Sequence, residues 1–264
     1  MNFIEFKNKR LHFVDKGDGK ELLLLHGFME SVRIFERIIN KLSNNYRIVA
    51  IDLPGHGMTD VFSEVHNMEF MAECASFVLD NLKISSASIL GHSMGGYAAL
   101  AFADLYPHKT NALGLIHSHP FADSEEKKND RLKQIQLIKS GKKDLIIRSL
   151  IPNLYATKNI EKLSKEIEFS MNIALNTPAE GIIAALAGMK NRIDRSHVLE
   201  NNKLPVIWIY GKHDNLINYK MIDKFVKGKS NIKPVLLENS GHMGFVEEPD
   251  NTTEEIKAFL NDIF

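Results

Sequence analysis

Gly91-His92-Ser93-Met94-Gly95 sets a serine among small residues, directly after the apolar run Ala87 to Leu90 and directly before Gly96-Tyr97-Ala98-Ala99-Leu100-Ala101. A strand that turns at once into a helix brings two backbones close together, and this needs neighbours without a Cβ. Gly91, Gly95 and Gly96 supply them. The pattern G-x-S-x-G in this context predicts a nucleophile elbow with Ser93 at its apex. The plainer reading is a glycine-rich turn whose serine caps a helix.

A serine hydroxyl attacks poorly at neutral pH unless a base within hydrogen-bond reach removes its proton, and imidazole is the usual base. Of 11 histidines, His242 in Ser240-Gly241-His242-Met243-Gly244 follows the last β-prone run and precedes the last helical segment. In a parallel sheet that loop lies at the carboxyl edge, the same edge as Ser93. Asp214, in Gly211-Lys212-His213-Asp214, follows the run Val206 to Tyr210 at that edge. A carboxylate there would orient the imidazole and stabilise its protonated form. Asp123 is the substitute acid, lying after an earlier strand. For the developing oxyanion, the N–H of Met94 follows the nucleophile at a helix start, and the N–H of Phe28 in His26-Gly27-Phe28 is the expected partner.

Other positions are weighed for the pocket. His117 and His119 follow the run Leu113 to Ile116 at the same edge, and either could face substrate. Leu154, Phe169 and Met171 could line an acyl pocket, although apolar residues at such spacing more often hold helices together. Two histidines without a third ligand do not make a metal site, so no metal and no organic cofactor is expected.

These residues need a frame. Phe3 to Phe6 and Leu11 to Val14 read as an opening hairpin. Leu22 to Leu25, Ile48 to Ile51, Ser88 to Leu90, Leu113 to Ile116, Val206 to Tyr210 and Val235 to Leu237 are compact apolar runs, as strands buried on both faces require. Ile34 to Leu42, Met68 to Leu82 and Gly95 to Leu105 carry apolar residues at helical spacing between them. The alternation predicts an α/β fold: a mostly parallel central sheet with helices on both faces. It breaks at residues 120–177, a charged and helical stretch read as an inserted cap, so that 1–119 and 178–264 form the core. Asp123 is expected to cap the first helix of the insertion, Thr177 the helix of return, and Thr252 the last helix with Glu255 completing a capping box.

Composition narrows the partners. Lys and Arg total 33 and Asp and Glu total 33, so no overall field favours nucleic acid or anionic lipid. The N-terminus has no apolar signal-like core, and no apolar run approaches the roughly 20 residues that span a bilayer. One cysteine, Cys74, rules out an intrachain disulfide and sits in an apolar helical pattern. A small-molecule substrate and a cytoplasmic location are expected, with no nucleic-acid or membrane partner; the oligomeric state is not legible.

Taken together, His26-Gly27-Phe28, Asp52-Leu53-Pro54-Gly55-His56-Gly57, Gly91-His92-Ser93-Met94-Gly95-Gly96, Gly211-Lys212-His213-Asp214 and Gly241-His242 with Glu247 and Pro249 resemble the α/β-hydrolase superfamily in its small, capped, carboxylesterase-like branch. The order Ser93, Asp214, His242 is the one used in that fold. Thr59 stands where the branch often has serine. Ser93 departs from the aspartate of haloalkane dehalogenases and epoxide hydrolases. The loop His-Gly-Phe-Met-Glu also lacks the His-Gly-x-Gly-Pro-Gly of carbon–carbon bond hydrolases. The resemblance implies cleavage of a small ester, thioester or lactone through an acyl-enzyme. Acyl transfer or cofactor-independent perhydrolysis by the same triad, and a low-turnover ligand receptor, are the alternatives.

Overall fold

The computed structural model describes residues 2–200 and 203–263. Its strands are β1 (Asn2–Phe6), β2 (Lys9–Lys16), β3 (Lys20–Leu25), β4 (Tyr46–Ile51), β5 (Ala87–His92), β6 (Thr110–Ile116), β7 (Val206–Gly211) and β8 (Ile232–Leu237). They form one sheet in the order β1-β2-β4-β3-β5-β6-β7-β8. The first two make an antiparallel hairpin across Lys7 and Asn8, both at positive φ (50° and 62°), as a two-residue turn matched to strand twist requires. β2 is also antiparallel to β4, and every later pair is parallel.

The helices are α1 (Glu36–Leu42), α2 (Met68–Asn81), α3 (Met94–Leu105), α4 (Glu125–Lys139), α5 (Lys143–Leu150), α6 (Ser164–Asn176), α7 (Ala179–Lys190), α8 (Ser196–Glu200), α9 (Tyr219–Val226), α10 (Gly244–Glu247) and α11 (Pro249–Ile263). Helices cover both faces of the sheet, so the central strands are apolar on both sides: Leu22–Leu25, Ile48–Ile51 and Val206–Ile209 are all buried. α3 packs on β5 and β6 and against α2. In α2 the Asn67 side chain caps the first turn by accepting from Phe70 N–H, and Met71, Cys74, Ala75 and Val78 form its buried stripe. Burial pushes the Cys74 thiol up from its ordinary range, so it stays protonated and inert.

β3 has β4 on one side and β5 on the other. The strand order therefore reverses there, and a crevice opens beyond the carboxyl ends of β3 and β5. The loops that carry Phe28 and Ser93 both start from those ends.

Between β6 and β7 the strand–helix alternation stops, and α4 to α8 follow in succession. α4 packs against α5 and α7, and α5 against α6.

Three helix starts differ from the sequence expectation. Ser124, not Asp123, caps α4, accepting from Lys127 N–H at 3.2 Å; Asp123 is drawn instead into ion pairs with Arg131 and Arg192. Thr177 does not cap α7, because its hydroxyl donates back to Ile173 O at 3.2 Å. α11 begins at Pro249, which has no N–H to leave unpaired at a first helical position. Thr252 therefore lies inside the helix, and its hydroxyl donates to Gly244 O at 3.1 Å.

Candidate active site

Ser93 leaves β5 with φ 49° and ψ −113°, a region that is costly for a residue with a Cβ. Hydrogen bonds hold it there. Its N–H donates to Ile116 O at 2.9 Å, while its carbonyl accepts from Gly96 N–H at 2.9 Å and from Ser118 Oγ at 2.8 Å. A Cβ at Gly91 would stand 2.1 Å from Gly95 O, and one at Gly95 would stand 2.1 Å from Leu25 O. Glycine at both positions thus lets β5, α3 and the end of β3 meet beneath the serine.

His242 lies in the loop after β8, with its backbone N–H donated to Leu154 O at 2.6 Å. Its Nδ1 is 2.8 Å from Asp214 Oδ2. A carboxylate only accepts, so Nδ1 carries the proton and Nε2 presents a lone pair. That Nε2 is buried and has no hydrogen-bond partner among the described residues. His242 and Ser93 line one cavity of about 380 Å³.

Asp214 is fixed from both ends. Its Oδ1 accepts from the N–H groups of Leu216 at 2.8 Å and Ile217 at 3.0 Å. Its Oδ2 takes His117 Nδ1 at 3.3 Å beside His242. Burial would raise the Asp214 pKa, but the neighbouring His242 and the hydrogen bonds from both imidazoles outweigh it and hold the carboxyl far below its ordinary value. His117 Nε2 accepts from Gly244 N–H at 3.0 Å, so its Nδ1 is the donor to Asp214. Burial then lowers the His117 pKa to about 4, keeping it neutral.

The loop after β3 is held by Glu30 and His26. Gly27 N–H donates to Glu30 Oε2 at 2.6 Å. His26 Nε2 accepts from Leu53 N–H at 2.9 Å, which leaves Nδ1–H to donate to Gly27 O at 2.8 Å. Burial lowers the His26 pKa in accord with that neutral form. The Glu30 carboxylate also meets His92 Nδ1 at 3.0 Å, and His92 Nε2 donates to the backbone oxygen of His242 at 3.0 Å. His92 therefore donates from both nitrogens. Burial works against that charge, but Glu30 outweighs it and the His92 pKa is raised. Phe28 faces the cavity with Ser93, and Met94 N–H lies in the first turn of α3, where the helix offers no carbonyl.

The alpha/beta hydrolase fold family model matches residues 21–142. The sheet order, the strained serine and the His242–Asp214 pair agree with it. The chain has the α/β-hydrolase fold. A 2-hydroxy-6-oxononadienedioate/2-hydroxy-6-oxononatrienedioate hydrolase of Paraburkholderia phymatum is 26% identical over 95% of this chain and 91% of its own. A pimeloyl-[acyl-carrier protein] methyl ester esterase of Aeromonas hydrophila is 25% identical over 92% of this chain and 96% of its own. Among solved structures, a thermophilic esterase from Thermogutta terrifontis is 27% identical with a TM-score of 0.93, covering 97% of this chain and 94% of that one. These relatives are esterases and hydrolases, and they support a hydrolase reading of this chain.

In this α/β-hydrolase fold the cavity is lined by Ser93, His242, Phe28, His119 and Leu154 among the residues expected there. Three expected substrate contacts lie elsewhere. His117 is fully buried behind Asp214 and does not line the cavity. Phe169 borders a separate surface groove under the Arg33 guanidinium, 5.0 Å from its ring centre, because the face of α6 that carries it turns toward α1. Met171 is half-buried and is not part of the cavity wall. Asp123 lines the cavity but pairs with arginines rather than with His242. Sequence reasoning missed Glu30, His92, Arg131 and Arg192, whose partners are distant in the chain or on another helix. No helix among the described residues is long and apolar enough to cross a membrane.

Proposed function

We propose that this chain is a serine hydrolase that cleaves a small carboxylic ester, thioester or lactone through an acyl-enzyme on Ser93. The observation that carries the reading is the His242 imidazole: Nδ1 is held by Asp214, Nε2 is buried and unpartnered, and the residue lines one cavity with Ser93. In the acylation step Ser93 Oγ attacks the carbonyl carbon and its proton passes to His242 Nε2, which returns it to the departing alkoxide or thiolate. Water then attacks the acyl carbon, again through His242, and frees Ser93 with a carboxylic acid. The N–H groups of Phe28 and Met94 would receive the oxyanion in both steps. Asp214 remains ionised throughout and stabilises the imidazolium.

The helices from residue 120 to 177 act in this reading as a roof that selects the acyl group, with Leu150 and Leu154 facing the cavity. We place the enzyme in the cytoplasm, acting on a small molecule and without a resident metal or organic cofactor.

A panel of p-nitrophenyl esters of increasing acyl length tests the reading by turnover and by a pre-steady-state burst of one p-nitrophenolate per active site. A burst followed by slower release supports the acyl-enzyme. Added alcohols, thiols or peroxide that divert the acyl group faster than water would assign the enzyme to acyl transfer or perhydrolysis. Binding without turnover would make it a receptor.

A further inference from the structure

The cavity that holds Ser93 and His242 also contains a surplus of buried positive charge. Arg131 on α4 and Arg192 beyond α7 are 8% and 5% exposed, and both line it. They share one carboxylate. Arg131 Nε pairs with Asp123 Oδ2, with Arg131 Nη2 3.4 Å from Oδ1, and Arg192 Nη1 lies 2.6 Å from Asp123 Oδ1. Two guanidiniums therefore face one anion. A buried cation without its counter-charge is strongly disfavoured.

No other group at the cavity removes this surplus. Glu30 is matched by His92 at 3.0 Å. Asp130, on the rim, lies 3.5 Å from Lys133. Lys127 adds a further cation to the wall. His119 stands beside Arg192 and stays neutral, its pKa lowered to about 3 by burial and then by the Arg192 charge.

The donors are open as well as charged. A guanidinium has five N–H groups. Arg192 Nε donates to Phe121 O at 3.1 Å, and Nη1 serves Met189 O at 3.0 Å and Asp123. Its Nη2 has no hydrogen bond among the described residues and is not one of their sealed, unpartnered polar atoms, and the side chain lines both this cavity and a smaller one beside Arg195. Arg131 Nη1 is free in the same sense. The Tyr97 ring, 4.0 Å from the Arg192 guanidinium carbon, fixes its plane.

Resting on the serine-hydrolase reading above, we infer that the substrate is an ester carrying a free carboxylate, which Arg131 and Arg192 bind while Ser93 attacks the ester carbonyl. Planar guanidiniums suit a carboxylate through paired N–H···O bonds, and the burial of both side chains strengthens them. The leaving alcohol is not specified by this geometry. What is specified is a negative charge at the far end of the acyl chain, or on the alcohol side, away from the bond that breaks.

The test compares monomethyl esters of straight-chain dicarboxylic acids from four to eight carbons with methyl esters of the matching monocarboxylic acids, at pH 7 and low salt. For at least one length the anionic ester should have a kcat/KM about tenfold or more above its neutral partner. In Arg192→Gln that ratio should fall about tenfold, chiefly through KM. Arg192→Gln leaves Arg131 and Asp123 as a matched pair, and Arg131→Gln, measured beside it, leaves Arg192 and Asp123 matched and should lower the same ratio. Calorimetry with the free dicarboxylates reads binding apart from turnover: wild type should bind one of them at least tenfold more tightly than Arg192→Gln does. Equal ratios at every length, or dicarboxylate binding that ignores both variants, would overturn the inference. Dicarboxylate binding that depends on Arg192, with no ester turned over, would keep the anion site and sink the serine-hydrolase reading instead.

Discussion

The carboxylate of Glu30 and the imidazole of His92 form a buried pair, Oε2 to Nδ1 3.0 Å, that ties the loop after β3 to the residue before Ser93. His92 passes the constraint on by donating to the backbone oxygen of His242 at 3.0 Å. One ion pair thus braces the loop after β3, the turn at Ser93 and the loop of His242. It also has a pH signature. Glu30 has a lowered pKa, in which burial is outweighed by His92; its contribution is complete above the ordinary carboxyl range and lost as pH falls through the folded value. His92 has a raised pKa, so its contribution is complete below about 6.5 and lost as pH rises through the folded value.

Glu30→Gln should therefore destabilise most near pH 5.5, where His92 would be a buried cation without its partner, by about 3 to 5 kcal/mol. As pH rises through the folded His92 value the deficit should shrink, because the wild type loses the pair while burial favours neutral His92 in the variant. Thermal unfolding of both proteins from pH 5 to 9 checks this. A deficit of constant size would mean that the pair is not ionic.

Asp214→Asn is expected to lower kcat by about 10³- to 10⁴-fold, the range for removing the orienting carboxylate of a triad. The amide cannot reproduce the site. With its oxygen toward the imidazoles, its NH₂ would confront the N–H groups of Leu216 and Ile217, which now donate to Oδ1 at 2.8 and 3.0 Å. Asp123→Asn should cost stability, since two arginines depend on that carboxylate, but far less kcat per folded molecule. Steady-state kinetics on one neutral ester, normalised to folded protein, compare the two. A larger kcat loss at Asp123 would move the acid there.

Acyl-length preference should respond to Leu154→Ala and not to Phe169→Ala. Leu154 lines the cavity, and one methylene in such a pocket is worth roughly 1 to 3 kcal/mol of discrimination. Phe169 instead borders the groove by Arg33. Relative kcat/KM across ester lengths is the measurement. A profile changed by Phe169→Ala alone would show that α6 reaches the substrate.

Motifs that act through local backbone were legible in the sequence. The elbow around Ser93 announces itself because close packing demands Gly91 and Gly95, and the runs that became β3 to β7 are apolar on both faces, whereas β8 lies at the sheet edge with Pro234 exposed. His242 and Asp214 were legible by their place after strands. Long-range side-chain pairing was not. Nothing near Glu30 in the chain points to His92, 62 residues away, and Arg131 and Arg192 meet only because α4 packs on α7. The same reason defeated Asp123 as a cap: a local propensity lost to two arginines that the sequence places elsewhere. His117, Phe169 and Met171 were misassigned because spacing gives the face of an element but not what that face meets.

The central claim is that Ser93 is the nucleophile. The direct measurement is covalent labelling with a fluorophosphonate, followed by peptide mass spectrometry and ester turnover on the wild type and Ser93→Ala. One adduct on Ser93, with loss of turnover in step with labelling, is expected for the wild type; Ser93→Ala should fold with unchanged thermal stability and lose both labelling and turnover. An adduct on any other residue, or an alanine variant that retains most of its turnover, would contradict the account.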